Sequence, residues 1–186
     1  MSSESEILDA IEVLRSLGSS FALLHCNSTY PAPYRDLNLS YLKRLGELGS
    51  CPVGYSGHER GHHVAVAAVA MGAKLIEKHL TLDREMEGND HKVSLLPSEF
   101  ADMVRQIRDV EAALGTDADR RVSQGELMNR VTLAKSLVAT RKLDVGVRVT
   151  EADVAVKGPG RGLQPDRLRD LVGTVLAREV EPGGFF

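Results

Sequence analysis

Apolar residues along this chain follow two alternating rhythms, one with a period of three to four and one continuous over short runs. Ser3 and Glu6 have the spacing of a capping box. Ile7, Ile11 and Leu14 follow at helical spacing, and Gly18 stops that helix. The continuous run Phe21 to Cys26 suits a strand covered on both faces. After a Pro-rich loop, the pattern predicts a helix over 38–48, a strand over 52–56, a helix of small apolar residues over 62–71 and a strand over 74–79. Pro97 opens a long helix whose stripe is Phe100, Met103, Ile107, Val110 and Leu114, ended by Gly115.

Strand and helix thus alternate through short connections, which implies a parallel α/β sheet with right-handed crossovers. The loops that follow strands are polar and the loops that lead into them are brief, as in a (β/α) barrel with its chemistry on the loop-rich side. Only three such strands are predicted, and a closed barrel needs roughly 250 residues. The expected layout is therefore the C-terminal part of a barrel over 1–118, a charged linker over 119–132 and a small β-rich domain over 133–186. In that last part Ser136 to Thr140, Asp144 to Val149 and Val154 to Val156 are strand-like, and Pro165 to Leu171 is a short helix.

Composition removes several function classes. The formal net charge of −3, with no basic block, gives nucleic-acid binding little support. Two cysteines, Cys26 and Cys51, with no CxxC spacing, read as reduced thiols. The N-terminus lacks a basic signal-peptide region, and the most apolar stretch, Val64 to Ala73, is about half of a membrane span. The expected compartment is the cytoplasm.

Chemistry concentrates at two histidines. His58 ends the run Val-Gly-Tyr-Ser-Gly-His and His79 ends Leu-Ile-Glu-Lys-His. Side chains at the C-terminal ends of parallel strands point into the active site of such folds, and two imidazoles delivered there can share one metal ion. The plain alternative is that both are ordinary strand-end residues. His62 and His63 open a helix and read as surface residues, and Cys26 reads as a packed thiol.

Several motifs stand in a fixed order: His25-Cys-Asn-Ser-Thr-Tyr-Pro-Ala-Pro33, the run ending at His58, Ile76-Glu-Lys-His-Leu-Thr-Leu-Asp83, Gly88-Asn-Asp-His91 and Val156-Lys-Gly-Pro-Gly-Arg-Gly162. Together they make the chain resemble the sialic acid synthase family, which includes N-acetylneuraminate synthases and their legionaminic, pseudaminic and spore-coat relatives. The resemblance implies a (β/α)₈ TIM barrel, here about its last three strands, followed by an antifreeze-like SAF domain of β-clip type. It implies condensation of phosphoenolpyruvate with an N-acetylated amino sugar, release of phosphate, a divalent metal (manganese) and a domain-swapped homodimer.

By the same resemblance His58 and His79 are the metal ligands. Ser56 and Ser28 bind phosphoenolpyruvate, and Tyr30 and Asp90 belong to the catalytic site as contacts to the sugar acceptor. Tyr30 reads equally as part of a stiff Tyr-Pro turn, and Asp90 equally as a solvated loop carboxylate. Where some members carry Arg in the small domain this chain has Gly158, and Arg161 in the loop Gly-Pro-Gly-Arg-Gly stands in as a substrate-binding residue. The family's first five strands, with their catalytic carboxylates and phosphate-binding lysine, have no counterpart here, so an N-terminally truncated synthase is expected. The alternatives are a non-catalytic fragment or binding module derived from one, and an unrelated metal-dependent aldolase barrel. The C-terminal Gly-Gly-Phe-Phe is expected to be a raw apolar end.

Overall fold

The continuous apolar runs pair with one another as the central sheet. In a computed structural model describing residues 1–186, β1 (Leu23–Cys26), β2 (Val53–Gly57) and β3 (Leu75–Lys78) form a parallel sheet in sequential order. The register sets Cys26 beside Ser56 and Ser56 beside Glu77. The chain divides into two units, Met1–Thr116 and Asp117–Phe186.

In the first unit α1 (Glu4–Ser16) is capped as its sequence predicts. The Ser3 hydroxyl accepts from the Glu6 amide, and the Glu6 carboxylate accepts from the Ser3 amide at 2.6 Å. Ile11 is its one buried residue. Helices α2 (Tyr41–Gly49), α3 (His63–Ala70) and α4 (Pro97–Leu114) supply the cover of the sheet. Leu42, Tyr55, Ala65, Ala68, Leu95 and Met103 form the core between these helices and one sheet face. Small residues on α3 let it approach closely, which is why its run carries alanines rather than leucines. The α4 stripe buries Met103 and half-buries Phe100 and Ile107, whereas Leu114 is exposed.

Strand β1, expected to be covered on both faces, is half-buried at all four positions, and β3 is open on one side. Leu75 and Glu77, which alternate with Ile76 and Lys78, are exposed. One face of this parallel sheet therefore packs on helices while the other stands open.

The second unit pairs β4 (Ser136–Ala139) with β5 (Val154–Lys157) antiparallel. Ala139, Leu143 and Val180 form its core, with Val147, Leu176 and Phe186 against them. Asp144 to Val149 does not form a strand; Leu143 and Arg148 instead make single bridges to Val180 and Val175. Two further differences appear. The segment expected as a linker contains α5 (Gln124–Leu133), capped by Ser123 and Glu126 as α1 is by Ser3 and Glu6. The C-terminal residues are not raw: Phe186 donates to the Leu137 carbonyl and accepts from the Leu163 amide, and Phe185 bridges Val138.

Candidate metal centre

Side chains alternate along a strand, so Ser56 and His58 share one side of β2, and Glu77 and His79 share the same side of β3. Both histidines lie one residue beyond the last paired residues, Gly57 and Lys78. Their rings meet edge to face with centroids 5.1 Å apart. This is the side of the sheet that the helices do not cover.

His58 is 6% exposed, and its ring is fixed from both ends. The Asn27 carbonyl lies 2.8 Å from Nδ1. A carbonyl can only accept, so Nδ1 carries the proton and Nε2 carries the lone pair. The Tyr30 hydroxyl donates to that Nε2 at 3.0 Å, and the Tyr30 ring packs on the imidazole with centroids 4.2 Å apart. Partial desolvation, followed by the nearby Asp90 carboxylate, holds the Tyr30 phenol above its ordinary range, so it stays a donor. The main chain is tied as well: Ala32 N–H donates to the His58 carbonyl and Leu95 N–H to that of His79.

The two rings suit a divalent ion. A backbone carbonyl on Nδ1 that leaves Nε2 free is the usual outer-shell arrangement of a metal-binding histidine. No set of three or more His, Cys, Asp or Glu side chains gathers at one point, so the two imidazoles are the ligands this chain could bring to an ion. Two side-chain donors are too few for a closed structural site, which takes four. Loading requires the Tyr30 hydroxyl to leave Nε2.

The other expected site residues are distributed as follows. The Asp90 carboxylate faces His79 Nδ1 at 3.8 Å, too far for a hydrogen bond, and is exposed. Ser28 lies beside Cys26, whose Sγ is 3.7 Å from its hydroxyl and 3.6 Å from His58 Nδ1. Ser56 is buried and donates to Glu77 Oε1 at 2.7 Å. Its proton is therefore engaged with a carboxylate, and a phosphate at this position would have to compete with Glu77 for it. Glu77 itself was not foreseen, although its place two residues before His79 puts it on the same side of the strand.

Arg161 belongs to the second unit and is exposed. Its loop is anchored rather than free. The buried Ser136 hydroxyl donates to the Pro159 carbonyl and accepts from Gly162 N–H. A Cβ on Gly160 would lie 2.3 Å from the Arg130 carbonyl, so only glycine fits there.

Comparison with known proteins bears on this site. Residues 1–119 match the NeuB family and residues 134–185 match the SAF domain. The chain is 38% identical to the N,N'-diacetyllegionaminic acid synthase of Campylobacter jejuni, over 97% of its own length and 55% of that protein. It is equally 38% identical to the human N-acetylneuraminate-9-phosphate synthase, over 97% of this chain and 51% of that one. Among solved structures it is similar to an N-acetylneuraminic acid (sialic acid) synthetase from Leptospira borgpetersenii, determined with citrate, at 37% identity and a TM-score of 0.63. That match covers 72% of this chain and 47% of the other. The chain spans about half the length of the curated relatives it matches.

Proposed function

This chain belongs to the NeuB family and carries a SAF domain, and we propose that it supplies the metal-holding side of a nonulosonic acid synthase. In this reading the enzyme joins phosphoenolpyruvate to the aldehyde carbon of an N-acetylated hexose of the N-acetylmannosamine type and releases phosphate. The observation that carries it is the pair His58 and His79, set at matching positions on neighbouring strands, with the His58 Nδ1 proton held by Asn27.

The three parallel strands are read as the last three of a (β/α)₈ barrel, and the second unit as its β-clip lid, working across a domain-swapped dimer. Strands from outside this segment would close the barrel over the open face and bring the remaining phosphate-binding groups. The two imidazoles would hold a divalent ion such as manganese, which when bound would supply Lewis acidity to the aldehyde oxygen. Tyr30 and Asp90 border the imidazoles from the loops and are placed to meet the sugar. Glu77 sits beside them as a carboxylate able to hold a proton, with Ser56 fixing its orientation. Ser28 and Arg161 are the proposed contacts to the anionic and sugar substrates.

The test is phosphate release from phosphoenolpyruvate with N-acetylmannosamine and Mn²⁺ by this chain combined with a polypeptide that carries the N-terminal part of a longer relative. His58→Ala and His79→Ala are each expected to lower Mn²⁺ affinity and turnover by at least the roughly 10–100-fold that loss of an outer-shell partner costs. Phosphate release that survives both substitutions would overturn the metal assignment. Absence of release in the parent would favour a binding module derived from a synthase.

A further inference from the structure

Behind the two histidines, on the helix-covered side of the sheet, lies an ion pair that the reaction as described does not use. Glu59 follows His58 directly and Lys78 precedes His79 directly. Both side chains are fully buried. Lys78 Nζ donates to the Glu59 carboxylate at 2.9 Å and to the Glu59 backbone carbonyl at 2.5 Å. The Tyr55 hydroxyl donates to the second carboxylate oxygen at 2.8 Å, so neither oxygen is left without a partner. Gly57 makes the arrangement possible: a Cβ there would lie 2.7 Å from Glu59 Oε2, and its absence lets the carboxylate fold back over the strand.

We infer that this Lys78–Glu59 pair, completed by Tyr55, is the clamp that sets the spacing of His58 and His79, so that the three are positioning residues of the metal site. The claim rests on the metal reading above and deepens it. The last paired residues of β2 and β3 are Gly57 and Lys78, so the backbone ladder ends one residue short of the histidines. Beyond that point the Lys78 ammonium carries the cross-strand link. It grips the residue that follows one ligand from the residue that precedes the other.

A buried ion pair adds little net stability over apolar residues of the same volume, because desolvating two charges consumes most of the attraction. An apolar pair could fill this space equally well. It could not tie the Glu59 carbonyl to β3, and direction is what a two-imidazole site needs. Small displacements matter there, since both lone pairs must converge on one ion.

The test separates filling from positioning. In the full chain, Glu59→Leu/Lys78→Met replaces the pair with apolar side chains of similar size. Binding is read from the electron paramagnetic resonance signal of free Mn²⁺ during titration, independently of turnover, and folding from the thermal midpoint. The double variant is expected to keep the parent's thermal midpoint and to lose about tenfold or more in Mn²⁺ affinity. A folded double variant that binds Mn²⁺ within about twofold of the parent overturns the clamp and leaves the metal reading intact. Should that variant not fold, Tyr55→Phe decides. Removing one hydroxyl should weaken Mn²⁺ by about threefold, in keeping with a modest hydrogen bond, and an unchanged affinity overturns the proposal. A parent that binds no Mn²⁺ removes the metal reading itself, and the clamp with it.

Discussion

Tyr30 has two roles that compete at the scale of a single side chain. Its hydroxyl donates to the Nε2 lone pair that His58 would offer a metal, and its ring lies against both imidazoles. Tyr30→Phe removes the competing donor and keeps the ring. Mn²⁺ should then bind more tightly, by about fivefold for a hydrogen bond worth ~1 kcal/mol, while the KM for the sugar acceptor rises. Titration of the metal and a KM measurement read the two effects separately; weaker Mn²⁺ binding would mean that Tyr30 helps to hold the ion. Arg161→Ala has one expected effect, a higher acceptor KM with Mn²⁺ affinity unchanged. Equal KM values would remove Arg161 from the site.

The two histidines were legible in sequence because each ends an apolar strand run, whereas Ser56, Ser28, Tyr30 and Asp90 were named through the family resemblance. Ser56 and His58 are two apart, as are Glu77 and His79. Glu77 was passed over because the motif drew attention to the histidine alone. The Lys78–Glu59 contact spans 19 residues and leaves no local periodicity, so nothing in the pattern could announce it.

Elements were foreseen where they bury a stripe or carry a cap. Ser3 with Glu6 marked α1, and the apolar positions of α4 marked its buried side. Helix α5 was missed because its charged setting masks a short apolar period, Leu127, Met128 and Val131, none of it buried; its Ser123–Glu126 capping box was a second available signal. Asp144 to Val149 misled in the opposite sense. Val147 packs on the core and Val149 is buried, but Val145 is exposed, and single bridges at Leu143 and Arg148 stand in place of a ladder.

Core burial sets one prediction at this scale. Leu42 on α2 is 1% exposed, and Leu42→Ala should cost the first unit about 2–5 kcal/mol in chemical denaturation. A loss well below 1 kcal/mol would show that α2 is not anchored through this side chain.

Acid sets another. The Asp153 carboxylate accepts from the Thr150 hydroxyl and amide and from Arg141, and these bonds, Thr150 first, hold it below its ordinary value of 3.8. A carboxyl depressed in the folded state adds stability in full above the unfolded value, and that stability is lost as pH falls through the folded one. The Thr140 amide, which donates to the Asp153 carbonyl, should therefore lose its protection from hydrogen exchange below about pH 4, and Asp153→Asn should flatten that loss. Acid exchange identical in parent and variant would show that the loop does not depend on this carboxylate.

At the scale of the whole molecule the open sheet face has a consequence of its own. Parallel sheets are ordinarily covered on both faces, because each strand runs apolar on both sides. Here β1 and β3 each present an unpaired edge, and Leu75, Leu80 and Leu82 are 42%, 56% and 82% exposed. No helix is long and apolar enough to cross a membrane, so a bilayer-spanning helix does not account for this surface. Unpaired edges and exposed leucines recruit further strands or further copies. Residues 1–186 produced alone should accordingly bind a hydrophobic dye and elute from size exclusion above the monomer mass. Adding a polypeptide that carries the N-terminal part of a longer relative should suppress dye binding and sharpen the elution peak. A dye-silent monomer with a single cooperative melt would show that this face needs no cover, and the barrel reading of the first unit would fall with it.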